Sequence, residues 1–305
     1  MIHKRARSLA GALAVALALT ATSACSGSAS GSASGSADSA GGSKDSASAA
    51  KLPADVKSKG AIDVGVYVPY APISYMENGK VVGTEPTLIR AVGDKLGVQV
   101  RFHTLAFESM IPSIVNGRND VLVGMFQDTE ERQKQVDFLD IARSGMRAVV
   151  LKGNPKHIDP NSVCGLTDGE EAGSYQLTVA KYLAEQCAKQ GKPKLKVLTF
   201  TDPGQAFLSL ENGRTDLTLQ EPAVAKYTVR QNEKLEVLKP LVTVPGDSHQ
   251  GWILPKGNEA LRNALVQAIK ELVKEGRWQK LMKETGISDA ALIPPLVNNE
   301  DIKAG

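Results

Sequence analysis

The sequence lacks the materials of most enzyme classes. It has 4 histidines and 3 cysteines in 305 residues. His3, His103, His157 and His249 share no motif, and no further Cys or His stands at ligand spacing beside Cys164 or Cys187. A metal site is therefore not expected. Nor is there a Gly-x-Ser-x-Gly elbow or a phosphate-binding loop, and no cofactor is implied. Long apolar runs are missing too. The run from Leu9 to Ala21 falls short of the roughly 20 residues needed to cross a bilayer. Charge of one sign is equally scarce. The formal net charge of +3 rests on Lys4, Arg5 and Arg7; without them the 36 basic residues fall to the number of acidic ones, 33. A mature chain with no net charge is not a general polyanion binder, which argues against nucleic acid as a partner.

What is present begins with an export signal over residues 1–24. A basic start, a short apolar stretch and then small residues have the shape of a secretory segment. Thr22-Ser23-Ala24-Cys25 resembles a bacterial lipobox, in which the cysteine sulfur is acylated and becomes the mature N-terminus. The usual Leu of the first lipobox position is absent; an ordinary signal peptide cleaved nearby is the alternative. Residues 25–51 form a tether, since Ser26 to Ala50 is almost entirely Ser, Ala and Gly and has nothing to bury. A tether fits a folded body held to a membrane through acylated Cys25, with more than one acyl chain for stable anchoring. Cys164 and Cys187 remain. They form either a disulfide in an oxidising compartment or two unrelated buried thiols.

From Leu52 onward the pattern is α/β with mainly parallel sheets. Ala61 to Val68 reads as a buried strand. Glu85 to Leu96 reads as a helix, with Pro86 in its first turn and Gly97 as its stop. Val98 to Leu105 reads as a strand. Phe107 to Asn116 reads as a helix with Met110, Ile111, Ile114 and Val115 inward, and Asp120 to Phe126 as a further strand. One unit recurs. Ile114-Val115-Asn116-Gly117-Arg118-Asn119-Asp120 is echoed by Leu210-Glu211-Asn212-Gly213-Arg214-Thr215-Asp216, a helix end, a left-handed Gly and an Asp opening a strand. The echo is either chance reuse of a common stop or the mark of two similar lobes facing each other across a cleft. Residues 52–148 with 249–305 would form lobe one and 149–248 lobe two, joined by two crossing strands. A helix from about Glu259 to Glu284 would fold back on lobe one.

Phe126-Gln127-Asp128-Thr129-Glu130-Glu131-Arg132 followed by Val136-Asp137-Phe138 looks like the Thr-x-x-Arg…Val-Asp-Phe signature of the family 3 extracellular solute-binding proteins, in the form frequent among actinobacterial members. Pro69-Tyr70-Ala71-Pro72, Phe107 through Gly117, Cys164-Gly165…Gly173-Ser174 and Gly213-Arg214-Thr215-Asp216…Glu221 are similar in order and spacing. The resemblance covers nearly all of residues 52–300. It implies a two-lobed, type II periplasmic-binding-protein-like fold with crossing hinge strands. The implied role is the substrate-binding component of an ABC importer, not an enzyme, capturing an amino acid or amino-acid-like solute by hinge closure. The implied partners are a permease and an ATPase. The implied location is extracytoplasmic and lipid-anchored, as a monomer. An enzyme on the same scaffold, dehydratase-like or peptidoglycan-cleaving, is the alternative.

The site follows from the ligand's chemistry. A carboxylate pairs best with a guanidinium, through two parallel charged hydrogen bonds, and Arg132 matches the family's carboxylate-binding arginine. A surface pairing with Glu130 or Asp137 is the alternative for it. Ser174 opens a helix whose N-terminus favours an anion, or only caps that helix. Glu221 stands where the family usually carries Asp, for the ligand ammonium; a solvated acid at a strand end is the alternative. Tyr70 and Phe107 match the family's flanking aromatics, with a core residue at a helix start as the alternative for Phe107, and Gln127 falls where a polar contact is expected. Asp168-Gly169-Glu170-Glu171 departs from the family's apolar strand. Four such residues do not suit a buried parallel strand, so a frayed or altered strand is expected there.

Overall fold

The computed structural model describes residues 48, 49, 52–245 and 249–298. The export signal, Cys25 and residues 26–47 of the tether lie outside them.

The first half of lobe one holds α1 (Ala54–Lys59), β1 (Ala61–Tyr67), the hairpin β2 (Tyr75–Glu77) and β3 (Lys80–Val82), α2 (Thr84–Leu96), β4 (Gln99–Leu105), α3 (Met110–Val115), β5 (Val121–Gln127), α4 (Glu130–Gln133) and β6 (Val136–Arg143). Lobe two holds β7 (Met146–Leu151), β8 (Thr167–Glu171), α5 (Tyr175–Lys189), β9 (Lys196–Phe200), α6 (Pro203–Glu211), β10 (Thr218–Gln220), α7 (Pro222–Gln231) and β11 (Leu235–Val242). The chain then returns to lobe one with β12 (His249–Pro255), α8 (Glu259–Lys274), α9 (Arg277–Glu284) and β13 (Ala291–Val297).

Lobe one is built on a six-stranded sheet in the order β13-β6-β12-β5-β1-β4. β1 runs parallel to β4 and β5, and β12 antiparallel to β5 and β6. β1 and β5 are apolar along most of their length because both faces are covered. α2 turns Leu88, Ile89, Val92 and Leu96 inward, and α8 turns in Leu261, Leu265, Ile269 and Leu272. Each such side chain contributes roughly 1.5–3 kcal/mol when fully buried. Trp252 of β12 meets Trp278 of α9 edge to face at 6.2 Å. Lobe two has its own apolar clusters on β7, β10, α5 and α6. Its strands form a three-stranded sheet, β10-β7-β11, and a parallel pair, β8-β9. An isolated bridge between Asp168 and Leu217 joins the two.

His249 pairs with Arg143 where the chain leaves and re-enters lobe one, and Val242 pairs with Met146 on the other side. The first crossing falls at Ser144 and Gly145. Residues 146–148, read from the sequence as the end of lobe one, pair instead with lobe-two strands.

The repeated helix–turn–strand unit has one geometry in both lobes. Gly117 and Gly213 take left-handed φ values of 68° and 69°. The next N–H, of Arg118 or Arg214, donates back to Ser113 or Ser209 at 2.9 Å in each case. Asp120 then clasps β1: its N–H donates to the Asp63 carbonyl at 2.8 Å and its carboxylate accepts from the Asp63 N–H at 2.7 Å. Asp216 clasps Thr167 at the start of β8 in the same way, at 2.7 and 2.8 Å.

Three expectations are corrected, and one element is new. The stretch Phe107–Asn116 is a single 3-10 turn followed by α3, and Val115 is 56% exposed rather than inward. The C-terminal helix breaks at Gly276, whose φ of 71° ends one helix and begins the next. β13, which the sequence reading did not anticipate, adds an edge strand to β6. Most tellingly, Asp168–Glu171 does form a buried parallel strand, paired with β9 along its whole length. Two of its three acids meet donors. Glu170 accepts from the Leu219 N–H at 2.6 Å and Glu171 accepts from the Tyr67 phenol, while the Asp168 carboxyl is buried beside Glu170 with no donor to either oxygen among the described residues.

Candidate functional site

The carboxyl ends of strands from both lobes converge on one cleft, the usual position of a ligand site in α/β sheets. β1 delivers Tyr67 and then Tyr70. The segment after β4 delivers Phe107, β5 ends at Gln127, β8 ends at Glu171 with Ser174 beyond it, and β10 leads to Glu221. The cleft encloses about 390 Å³, part of it open to solvent. All six residues read from the sequence as ligand contacts line it: Tyr70, Phe107, Gln127, Arg132, Ser174 and Glu221.

Arg132 sits in α4, whose first turn is capped by Thr129. One guanidinium nitrogen donates to the Gln127 carbonyl at 3.0 Å, and another reaches across to the Gly173 carbonyl of lobe two at 3.5 Å. Asp137, the other candidate partner, takes Lys256 and Arg262. The Gln127 side chain is 2% exposed. Its Oε1 accepts from the Ser144 hydroxyl, and its Nε2 has no hydrogen-bond partner among the described residues. Ser174 caps α5 by accepting from the Leu177 N–H at 3.1 Å, while its hydroxyl donates to the Glu171 carbonyl at 2.8 Å.

Two tyrosines of lobe one meet two acids of lobe two. The Tyr70 phenol donates to the Glu221 carboxylate, which also accepts from Gln176 Nε2 at 3.1 Å. The Tyr67 phenol donates to Glu171 at 2.6 Å. Burial pushes the Glu221 carboxyl above its usual range, offset in part by the Tyr70 hydrogen bond. Burial likewise raises Glu171 to about 7, aided by the charges of Asp202, Glu108 and Glu221. The wall between these groups is aromatic. Tyr67 lies 6.0 Å from Tyr70 and 5.5 Å from Phe107, and Phe107 stacks on Phe126 at 6.0 Å, centroid to centroid.

Tyr67, Glu171 and Gln176 were not identified from the sequence. Tyr67 closes an apolar strand and reads as core. Gln176 is one residue inside a helix. Glu171 carried a signal, since it ends the polar stretch that broke the expected pattern.

The site and the two-lobed frame have counterparts among known proteins. The sequence profile of the bacterial extracellular solute-binding proteins, family 3, matches residues 62–285. The chain belongs to that family. Among relatives of this solute-binding protein, the arginine-binding protein ArgT of Corynebacterium glutamicum is 25% identical over 260 residues, covering 83% of each chain. A solved ancestral arginine-binding protein, bound to arginine, is 31% identical with a TM-score of 0.64. The match covers 74% of this chain and 97% of that one. An ancestral amino-acid-binding protein described as a precursor of cyclohexadienyl dehydratase is 27% identical, with a TM-score of 0.64, over 75% of this chain and 97% of its own. No helix among the described residues is long and apolar enough to cross a membrane.

Proposed function

We propose that this solute-binding protein is the extracytoplasmic substrate-binding component of an ABC importer, and that it captures an amino acid or a close relative by closing its two lobes. The observation that carries this reading is the presence of a guanidinium from one lobe and a carboxylate from the other, Arg132 and Glu221, in a single cleft. A zwitterion offers each its opposite. The ligand carboxylate takes Arg132 as a bidentate partner. Gln127 Nε2 supplies a further donor, and the α5 N-terminus at Ser174 adds partial positive charge. The ligand ammonium takes Glu221. Tyr70 and Phe107 supply apolar walls.

Lobe one engages the ligand first. Lobe two then swings in about Ser144-Gly145 and the return crossing beyond Val242, a hinge motion held by contacts made only when closed. A permease with its ATPase reads the closed form. Acylated Cys25 and the tether hold the monomeric receptor at the cell membrane after removal of residues 1–24. The chain performs no chemistry on its ligand in this reading. One observation favours a dehydratase-like enzyme instead: Glu171, raised to about 7 beside the cleft, has the poise of a general acid or base.

The experiment is a thermal-shift panel of amino acids on the purified protein, with mass analysis of each ligand afterwards. A binder is stabilised by mass action, by about 2.7 kcal/mol at a hundred times Kd. Arg132→Ala should erase that gain, and the ligands should be recovered unchanged. A shift that survives in Arg132→Ala removes Arg132 from the site, and turnover of the ligand overturns the receptor reading.

A further inference from the structure

A zwitterion uses one guanidinium and one carboxylate, Arg132 and Glu221. The cleft contains a second carboxylate that this pairing leaves over. Glu171 is 7% exposed, lines the cleft at the end of β8 and is held by the Tyr67 phenol. The charges acting on it from the surrounding elements are acidic. Glu108 comes from the turn before α3, Asp202 from the cap of α6 and Glu221 from the start of α7. Tyr67 faces it from β1, and Asp168 and Glu170 lie on its own strand. The basic group lining the cleft is Arg132, which the ligand carboxylate takes.

A cleft with two carboxyls and one guanidinium has one carboxyl, that of Glu171, left over once a zwitterion is bound, and it must either keep a proton or carry an unmatched charge. Leaving that carboxylate ionised and unmatched in a closed site is costly. A cation on the ligand removes the cost. The aromatic wall of Tyr67, Tyr70, Phe107 and Phe126 favours the same choice, because ring faces attract cations, above all the flat guanidinium. The unpartnered, buried Nε2 of Gln127 marks the carboxylate end of the same cleft independently. It fixes which of the charged groups are left for the side chain.

We propose that Glu171, positioned by Tyr67, is the specificity-determining residue of the cleft, and that the preferred ligand is an α-amino acid whose side chain ends in a guanidinium or ammonium group. The proposal rests on the amino-acid reading above. Arginine and citrulline test it, since they share a shape and differ by the side-chain charge. Titration calorimetry on the purified protein should show arginine binding roughly 30-fold or more tighter than citrulline, the scale for removing one partner of a buried charge pair. Lysine should also bind more tightly than glutamine. Glu171→Gln should collapse the arginine-to-citrulline ratio to below about threefold. The wild-type comparison needs no variant, so a misfolded Glu171→Gln protein does not remove the test. Citrulline or glutamine binding as well as arginine and lysine overturns this inference alone and leaves the amino-acid reading standing. A ratio unchanged in a folded Glu171→Gln protein does the same. If none of the four binds while another amino acid of the thermal-shift panel does, this inference fails alone; if no amino acid of the panel binds, the amino-acid reading itself fails.

Discussion

The Tyr70 phenol of lobe one donates to the Glu221 carboxylate of lobe two, so the pair bridges the cleft it lines. Gln176 steadies both partners, donating to the phenol oxygen and to the carboxylate at 3.1 Å. The bond ties ligand recognition to closure, because the acid proposed to hold the ligand ammonium is reached from lobe one only when the lobes are together.

Glu221→Gln keeps the size of this side chain and removes its charge. Amino-acid affinity should fall by about 2 kcal/mol or more, the scale for breaking a buried charge pair. The unliganded protein should not lose stability above neutral pH. Burial disfavours the ionised Glu221, so a neutral amide is the easier group to bury there. Calorimetric titration gives the first quantity and thermal unfolding the second. Retained affinity in Glu221→Gln would place the ammonium elsewhere.

Several buried acids set a pH dependence of the opposite sense to ordinary acid denaturation. Asp168, Glu171 and Glu85 are raised to about 7, each chiefly by burial, and Glu170 is raised by burial and by the charge of Asp168. A folded-state pKa above the unfolded value of about 4 means that the folded protein binds the proton more tightly. Its contribution is complete below pH 4 and is lost as pH rises towards 7. Asp63, lowered to about 2 by hydrogen bonds from Lys59, His103 and Arg101 against the cost of burial, works the other way. Its contribution is present above pH 4 and is lost as pH falls towards 2. Stability of the unliganded protein should therefore peak on the acid side and decline from about pH 5 to pH 8. The melting temperature should fall by at least about 5 °C. Asp168→Asn with Glu170→Gln should flatten that decline. A melting temperature that holds level or climbs between pH 5 and pH 8 contradicts the assignment.

The sequence carried the frame because the frame is written in local signals. Leu88, Ile89, Val92 and Leu96 mark one helical face, and the paired Gly117 and Gly213 stops mark equivalent turns in two lobes. The six residues read as ligand contacts, all of which line the cleft, were picked out through the order of their motifs, although no single spacing specified a cleft. What stayed hidden depended on tertiary partners. Nothing local says that Tyr67 will face Glu171 from 104 positions away in the chain. Nor does local pattern reveal that Glu85 will lie fully buried, hydrogen-bonded by the Trp252 indole of β12. The polar strand misled for the same reason. Charge along a strand predicts exposure only when no buried donor awaits it, and the Leu219 N–H and the Tyr67 phenol do.

The disulfide links this hidden chemistry to the stability of lobe two. Cys164 and Cys187 are joined, with Cα atoms 5.5 Å apart. Cys164 lies just before β8, and Cys187 sits in the last turn of α5. The loop they close, 23 positions in span, therefore contains β8 with Asp168, Glu170 and Glu171, and also Ser174 and Gln176. Closing a loop of that length removes unfolded-state entropy worth about 3 kcal/mol on the chain-entropy model. Reduction, or Cys164→Ala with Cys187→Ala, should lower the melting temperature by roughly 6–12 °C for a protein of this size. The loss should be about the same near pH 8 and near pH 5, since the cross-link acts on the unfolded chain and the acids of β8 titrate in the folded one. Thermal unfolding with and without reductant at the two pH values measures both effects. A larger loss at pH 8 would mean that the cross-link also holds the buried acids in place in the folded protein.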